Sequence, residues 1–347
     1  MRNFLRAVWS QLIRIAPPWL AYRLRYLKEL LVFRYQSNVH DLPPIFHYWS
    51  NRYLGPQIFN PYGIRDPEHF FFKFVSEQRE RHPAARLTMV SIGSGNCDME
   101  CRLASALRAE GIDNFVIECI DINQAMLDRG IKLAEALGVA SYIATTISDF
   151  NNWQPVKQYD VVIANQCLHH IIELEDLFSK VKQVLTDDGR FLVSDMIGRN
   201  GHLRWPEALG IINTMWSQLP EKYKYNHMRQ RQEPQFINHD CSTSSFEGIR
   251  AQDILPLLVA NFHFELFLPF GNLIFVFIDR TFGYNFNPEV VEDRQIIDKI
   301  HARDEEGMHS GELKPTQMLA VLCKTPVAQP RLRNARLTPE FCVRVPS

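Results

Sequence analysis

Between Arg86 and Asp195 the apolar positions come in short continuous runs that alternate with amphipathic stretches. Leu87–Ile92 reads as a strand ending in Gly93-Ser94-Gly95, and Met99–Glu110 as a helix stopped by Gly111. Phe115–Ile120 is a second strand ending at Asp121, and Gln124–Leu137 a second helix closed by Gly138. Ser141–Thr145 is a brief third strand, followed by Ser148-Asp149-Phe150. Tyr159–Ala164 is a fourth, with the unbroken Val-Val-Ile-Ala run of a strand covered on both faces. Leu174–Leu185 is helical, Asp188-Gly189 a turn, and Phe191–Ser194 a fifth strand ending at Asp195. This alternation predicts an α/β fold, a doubly wound, mostly parallel sheet with helices on both faces and its ligands over the carboxyl ends of the strands.

The flanks follow other rules. Residues 196–249 carry no strand pattern and are expected to form a cap inserted after the fifth strand, since loops of that length usually carry function. Arg250–Ala260 returns as a helix, Phe262–Leu268 as a strand, Val290–Arg303 as a helix and Met318–Lys324 as a last strand. Leu273–Phe282 is apolar and fits helix or strand, while the tail 326–347 looks irregular. At the other end, Phe4, Val8, Leu12 and Ile15 recur at helical spacing opposite Arg6, Ser10 and Arg14. Pro17-Pro18 breaks that helix, and Trp19–Tyr35 resumes a basic, aromatic helical pattern. Residues 37–80 are dense in aromatics, suiting either core beneath loops or a lid. The expected division is an arm and lid over 1–80, a catalytic domain over 81–325 and the tail.

Composition narrows the class. A chain of 347 residues, 46% hydrophobic and 22% charged, can bury a full core. Its seven cysteines stand singly, which argues against a zinc module or a disulfide scaffold and for a reducing, cytoplasmic setting. The longest apolar run, Leu266–Ile278, is interrupted by Pro269, Gly271 and Asn272 and is too short to span a bilayer. With a net charge of −1 no global basic field recruits nucleic acid. That total conceals an asymmetry: residues 1–36 hold seven basic side chains against Glu29 alone, a local charge of +6. Two readings of the arm stay open, packing over the ligand cleft or peripheral contact with an anionic inner membrane surface.

The strand ends carry the chemistry. Gly93-Ser94-Gly95 lets the backbone turn tightly at a helix start, where unpaired N–H groups face a ligand. The third glycine of the dinucleotide fingerprint would fall on Asp98, whose charge repels a pyrophosphate, so NAD is disfavoured. Asp121, 26 residues beyond Gly95, suits the two hydroxyls of a ribose. Asp149 suits an adenine amino group, with Phe150 or Ile122 over the ring, and Asn165-Gln166 the ends of an amino acid. Ribose, adenine and an amino acid without phosphate describe S-adenosylmethionine.

Val90-Ser91-Ile92-Gly93-Ser94-Gly95, Cys119-Ile120-Asp121-Ile122-Asn123, Ser148-Asp149-Phe150 and Tyr159-Asp160-Val161-Val162-Ile163-Ala164-Asn165 resemble the ordered motifs of class I S-adenosylmethionine-dependent methyltransferases. So do Leu168-His169-His170-Ile171 and the stretch from Leu185 to Asp195. The resemblance covers residues 86–195 closely and 250–324 loosely. It implies a seven-stranded Rossmann-like sheet whose closing strand, Met318–Lys324, runs antiparallel beside the fifth. Two positions depart from the family pattern: Ser91 stands where an acidic residue is usual and Cys97 where a third glycine is, leaving Asp98 or Glu100 to meet the methionine amino group.

For the transfer itself, His169, His170 and Asp195 are the candidate bases or substrate anchors. In the cap, His202, Arg204, Trp205, Tyr223 and His227 are candidates to bind a polar substrate. His202, His227 and His239 are not at metal-ligand spacing, and no metal is expected. The expectation is a biosynthetic enzyme methylating a small molecule or glycan, at oxygen rather than nitrogen. Two rivals remain: a protein or nucleic-acid methyltransferase, against which the fourth strand lacks an Asn/Asp-Pro-Pro-Tyr ending, and a non-catalytic membrane-associated binding subunit. Oligomeric state is not legible.

Overall fold

The computed structural model describes Trp9 and residues 11–13, 15–35 and 41–344. Of the arm's first expected helix, Phe4, Arg6, Val8, Ser10 and Arg14 lie outside the described residues. Strands form where the apolar runs are. They are Leu87–Ile92 (β1), Phe115–Asp121 (β2), Ile143–Ile147 (β3), Tyr159–Asn165 (β4) and Leu185–Met196 (β5). Three of the four connections are helices whose apolar stripe meets the sheet, Asp98–Ala109, Gln124–Ala136 and Leu174–Val184, while β3 and β4 are joined by the 3-10 turn Phe150–Asn152. Pairing along β3-β2-β1-β4-β5 is parallel throughout. The order reverses between β1 and β4, where Ile92 sits opposite Ala164. In doubly wound sheets that reversal opens the ligand crevice, and here it separates the Gly93–Gly95 loop from Asn165-Gln166.

The sheet has eight strands, one more than the resemblance implies. His263–Phe270 (β8) and Gln317–Cys323 (β9) complete the expected set, with β9 antiparallel to β5 and to β8 between them. The eighth strand, Arg331–Leu332 (β10), comes from the tail and pairs in parallel with β8. The tail is therefore not irregular throughout. Tyr62 Oη donates to the Leu332 carbonyl at 2.6 Å, and Leu337 and Cys342 are buried. Those two apolar residues among arginines are what draws it onto the sheet.

The aromatic stretch 41–81 packs as core. Pro44–Trp49 is helical and runs into a π-helical segment, Ser50–Phe59, before Pro67–Arg81 lies along the sheet. Trp49 is buried and donates from Nε1 to His301 Nδ1 at 3.2 Å, while Tyr48 donates to Asp298 at 2.9 Å. Both partners lie on the long helix Val291–Ser310. The ambiguous stretch after Leu273 is a short helix, Ile274–Ile278. In the cap, Pro206–Gln218 is a helix and Tyr225–Asn226 pairs with Arg231–Gln232 (β6, β7) as a small hairpin that no periodicity announced.

The arm helix Pro18–Tyr35 (α1) crosses the carboxyl ends of the strands. Its Tyr22 hydroxyl donates to Asp149, and its Leu30 carbonyl accepts from Asn123 Nδ2 at 3.3 Å. Lys28 Nζ donates to the Ser244 carbonyl at 2.6 Å and Arg25 to that of Ser242 at 3.3 Å. Nucleotide-side loops and cap are thus roofed by one helix.

Candidate active site

Strand ends place the cofactor-side residues. Gly93 and Gly95 hold left-handed φ values of 62° and 54°, and a Cβ at Gly93 would lie 2.7 Å from the Cys167 Cβ, so only glycine fits. Cys97 also takes a positive φ, 55°, and its sulfur lies where a Cβ on Gly130 would fall, at 2.7 Å. A small residue on the neighbouring helix thereby admits the cysteine that replaces the family's third glycine. The Ser91 departure is answered in the same neighbourhood: Ser91 Oγ donates to the buried Glu100 carboxylate. Burial pushes the Glu100 carboxyl up to about 7.

Asp121 accepts from the Gly95 N–H at 3.0 Å and the Asn123 N–H at 2.8 Å, so its carboxylate ties the loop to the end of β2. Burial raises its pKa, and those N–H groups oppose the rise. Ile122 follows it, half-buried. Asp149 accepts from Asn151 N–H at 3.0 Å besides Tyr22. Phe150 is buried in the core against Trp153. A cleft of about 280 Å³ opens between Tyr22, Arg23, Tyr26, Leu27 and Asp149. Ser94 N–H donates to the Ile120 carbonyl at 3.1 Å. Asn165 ends β4, and Gln166, at φ 53°, bonds back to Ser194 through its N–H at 2.7 Å.

Across the crevice a second constellation forms. Asp195 is fully buried and accepts from the Cys167 and Leu168 N–H groups at 2.9 and 2.7 Å, and from His169 Nδ1 at 2.6 Å. The Met196 N–H also donates to it at 2.7 Å, so Asp195 is fully engaged within the fold and orients His169. The His169 Nε2 looks toward Glu247 at 3.6 Å, the His170 Nε2 toward the same carboxylate at 3.5 Å, and the His202 Nε2 at 2.7 Å. Three imidazoles from two loops thus converge on one carboxylate from a third.

Electrostatics differ sharply across the cluster. Burial disfavours a charge on His169, but Asp195 and then Glu247 outweigh it and raise His169 to about 10. Burial and the neighbouring His169 pull His170 down to about 4. Glu247 is held far below the usual carboxylate range by the imidazoles around it, against the effect of burial. Glu29 of α1 lies 4.0 Å from the His170 Nδ1, and burial beside Glu247 lifts it to about 7.

The other substrate candidates take partners elsewhere. Tyr223 is buried, donates to Asp293 at 2.5 Å and stacks on Phe286. His227 pairs with Asn285 at 2.9 Å. Trp205 is buried beneath Arg199 and Arg344, and Arg204 donates to the Asn272 carbonyl at 3.0 Å. Of the cap candidates, His202 alone has partners in the histidine cluster. Sequence reasoning passed over Glu247, Tyr22 and Glu29. The only signal for Glu247 was a lone acid beside Gly248 in a polar loop, and for the other two a basic arm rich in tyrosine.

A parallel sheet closed by an antiparallel strand, a glycine loop at its reversal point and an acidic residue ending β2 define a Rossmann-like methyltransferase. Residues 84–255 match the family model described as a methyltransferase domain. The chain belongs to the class I S-adenosylmethionine-dependent methyltransferases; it is an enzyme, and S-adenosylmethionine is its cofactor. Solved structures similar to it include geranyl diphosphate C-methyltransferase from Streptomyces coelicolor A3(2) in complex with Mg2+, geranyl diphosphate and S-adenosyl-L-homocysteine. That structure is 12% identical, covering 86% of this chain and 98% of that one, with a TM-score of 0.44. Another is an S-adenosylmethionine-dependent methyltransferase from Thiobacillus denitrificans in complex with S-adenosyl-L-homocysteine. It is 16% identical over 82% of this chain and 100% of that one, with a TM-score of 0.41. No curated protein matches the chain by sequence. At these identities and scores no neighbour's substrate carries over.

Proposed function

We propose that this enzyme methylates a hydroxyl oxygen of a polar small molecule or glycan-type metabolite. The observation that carries the reading is the convergence of His169, His170 and His202 on Glu247 across the crevice from the glycine loop. Such a cluster offers both hydrogen-bond donors for a hydroxylated acceptor and an acceptor for its proton. Gly93, Ser94, Gly95, Asp121 and Asp149 are the residues that would hold the cofactor, and the left-handed glycines leave space for its close approach. When bound there, S-adenosylmethionine would supply the methyl on a sulfonium, the C–S bond breaking with its electron pair on sulfur as the oxygen–methyl bond forms. The acceptor's proton passes to an imidazole of the cluster other than His169, which Asp195 and Glu247 already keep protonated. Asp195 is a positioning residue in this scheme, fixing the His169 ring so that Nε2 faces Glu247. Closure by α1 excludes water, which aligns the acceptor and favours loss of the sulfonium charge.

The test is transfer of isotopically labelled methyl by the full chain to a panel of sugars and hydroxylated metabolites, with the product's linkage read by NMR. An O-methyl ether is expected. A methyl found on carbon or nitrogen overturns the reading.

The arm favours a second, separate statement about where the enzyme works. Among the described residues no helix is long and apolar enough to cross a membrane. Yet Ile15, Trp19 and Leu31 are exposed on the arm, 75%, 63% and 54% respectively. Together with the arm's charge of +6, that apolar surface suits peripheral attachment to anionic lipid while the opposite side of α1 roofs the crevice.

A further inference from the structure

The histidine cluster has the makings of more than a proton acceptor. Among the described residues, His169, His170 and Glu247 each offer one donor atom, and these atoms lie within 4.8 Å of one another. An ion bonded to nitrogen or oxygen at about 2.0–2.2 Å places neighbouring donors about 3 Å apart and opposite donors about 4 Å apart. The separations to Glu247, 3.6 Å from His169 to one oxygen and 3.5 Å from His170 to the other, fall inside that range. The 4.8 Å within which all three donors lie is wider, so binding an ion requires the donors to draw together.

The surroundings repeat a pattern typical of metal-bound imidazole. Each histidine turns its Nε2 toward Glu247 and its Nδ1 toward a second carboxylate. For His169 this is Asp195 at 2.6 Å, a hydrogen bond that fixes the tautomer with its proton on Nδ1 and leaves Nε2 as the ligand atom; for His170 it is Glu29, at 4.0 Å and beyond hydrogen-bond distance. Backbone bonds knit the contributing loops together: Ile249 N–H donates to the His169 carbonyl at 3.0 Å, and Gly201 N–H to that of Gly248 at 2.8 Å. His202 keeps a left-handed backbone, φ 57°, a strained conformation for a residue with a side chain. That turn aims its Nε2 at the Glu247 oxygen 2.7 Å away. The sequence spacing of His202, His227 and His239 spoke against a metal, but folding assembles a different set.

We propose that His169, His170 and Glu247 bind a divalent transition-metal ion, with His202 steadying Glu247. Two imidazoles and one carboxylate suit zinc, cobalt, nickel, iron or manganese better than magnesium or calcium, which favour all-oxygen shells. Three protein ligands leave coordination positions open. An acceptor hydroxyl bound there would be polarised toward attack on the methyl, a clause that rests on the oxygen-acceptor reading, whereas the ion's binding does not.

Cobalt(II) titration of the full chain, stripped with a chelator and dialysed, tests this without any methyl acceptor. One cobalt per chain is expected, with visible d–d absorption from nitrogen ligands and a raised Tm. His170→Gln and Glu247→Gln should each weaken cobalt binding by about a hundredfold or more, and His202→Asn by about tenfold. His263→Ala, on the surface at the start of β8, should bind as the parent does. The parent protein alone decides the main point: no stoichiometric cobalt and no visible spectrum at micromolar metal overturns the proposal. Binding that survives both Glu247→Gln and His170→Gln overturns it as well, by placing the ion elsewhere. Cobalt binding at this site together with a C- or N-methylated product would leave the metal standing and the oxygen reading refuted.

Discussion

At the base of the glycine loop, Ser91 and Glu100 share a hydrogen bond in a space closed to solvent. The carboxylate that the family usually carries at the end of β1 here arrives from the following helix. Because burial lifts the Glu100 carboxyl from 4.5 to about 7, the folded chain holds a proton there that the unfolded chain has released. The associated stability is fully present below about pH 4.5 and is lost as pH rises toward 7. Glu100→Gln cannot ionise. It should match the parent at pH 4.5 and exceed it at pH 8 by roughly 3 kcal/mol in urea unfolding; parallel losses in both proteins would refute the assignment. Residues such as Asp121 were legible in the sequence because a strand's end fixes where its last side chain lies. Glu247 was not. Its partner His202 is 45 positions away, and only the folded loops bring them together.

Elements were readable in proportion to how local their causes are. Strands β1 to β4 follow apolar runs bounded by glycine or acid, and their helices follow a 3.6-residue stripe. β5 begins at Leu185, six residues before its apolar run, because Tyr159 pairs with Leu185 across a register shift that Asp188-Gly189 disguises as a turn. The π-helical segment Ser50–Phe59 and strand β10 depend on distant packing and left no periodic trace. The turn Asn200–His202 is the element on which the cluster hangs. Gly201 holds φ 66°, and a Cβ there would lie 1.9 Å from an Asp240 oxygen. Gly201→Ala should therefore cost about 1–3 kcal/mol in stability and displace His202. A lowered Tm with methyl transfer falling out of proportion to the folded fraction is the expected result; unchanged Tm and rate would show that the turn adapts freely.

Taken as a whole, the molecule joins an acidic body to a basic arm that serves as its roof. The proposed lipid contact is tested at exposed arm residues that stand away from the cleft. Trp19→Glu combined with Leu31→Glu alters exposed positions on α1 that do not line the cleft. It should remove most of the protein's flotation with phosphatidylglycerol vesicles, since burial of a leucine contributes about 1.5–3 kcal/mol when complete. Flotation equal to the parent's would refute lipid attachment. The sequence announced the arm's charge but not its seat, because docking depends on Asp149, Ser242 and Ser244, far along the chain. That seating has a kinetic consequence. Lys28 and Arg25 fasten the roof over the nucleotide side to residues 242–244, a few positions before Glu247. Lifting the roof would therefore pull on the loop that carries Glu247. Where that opening limits turnover, a first turnover faster than those that follow is expected at saturating acceptor, and one rate throughout would refute it.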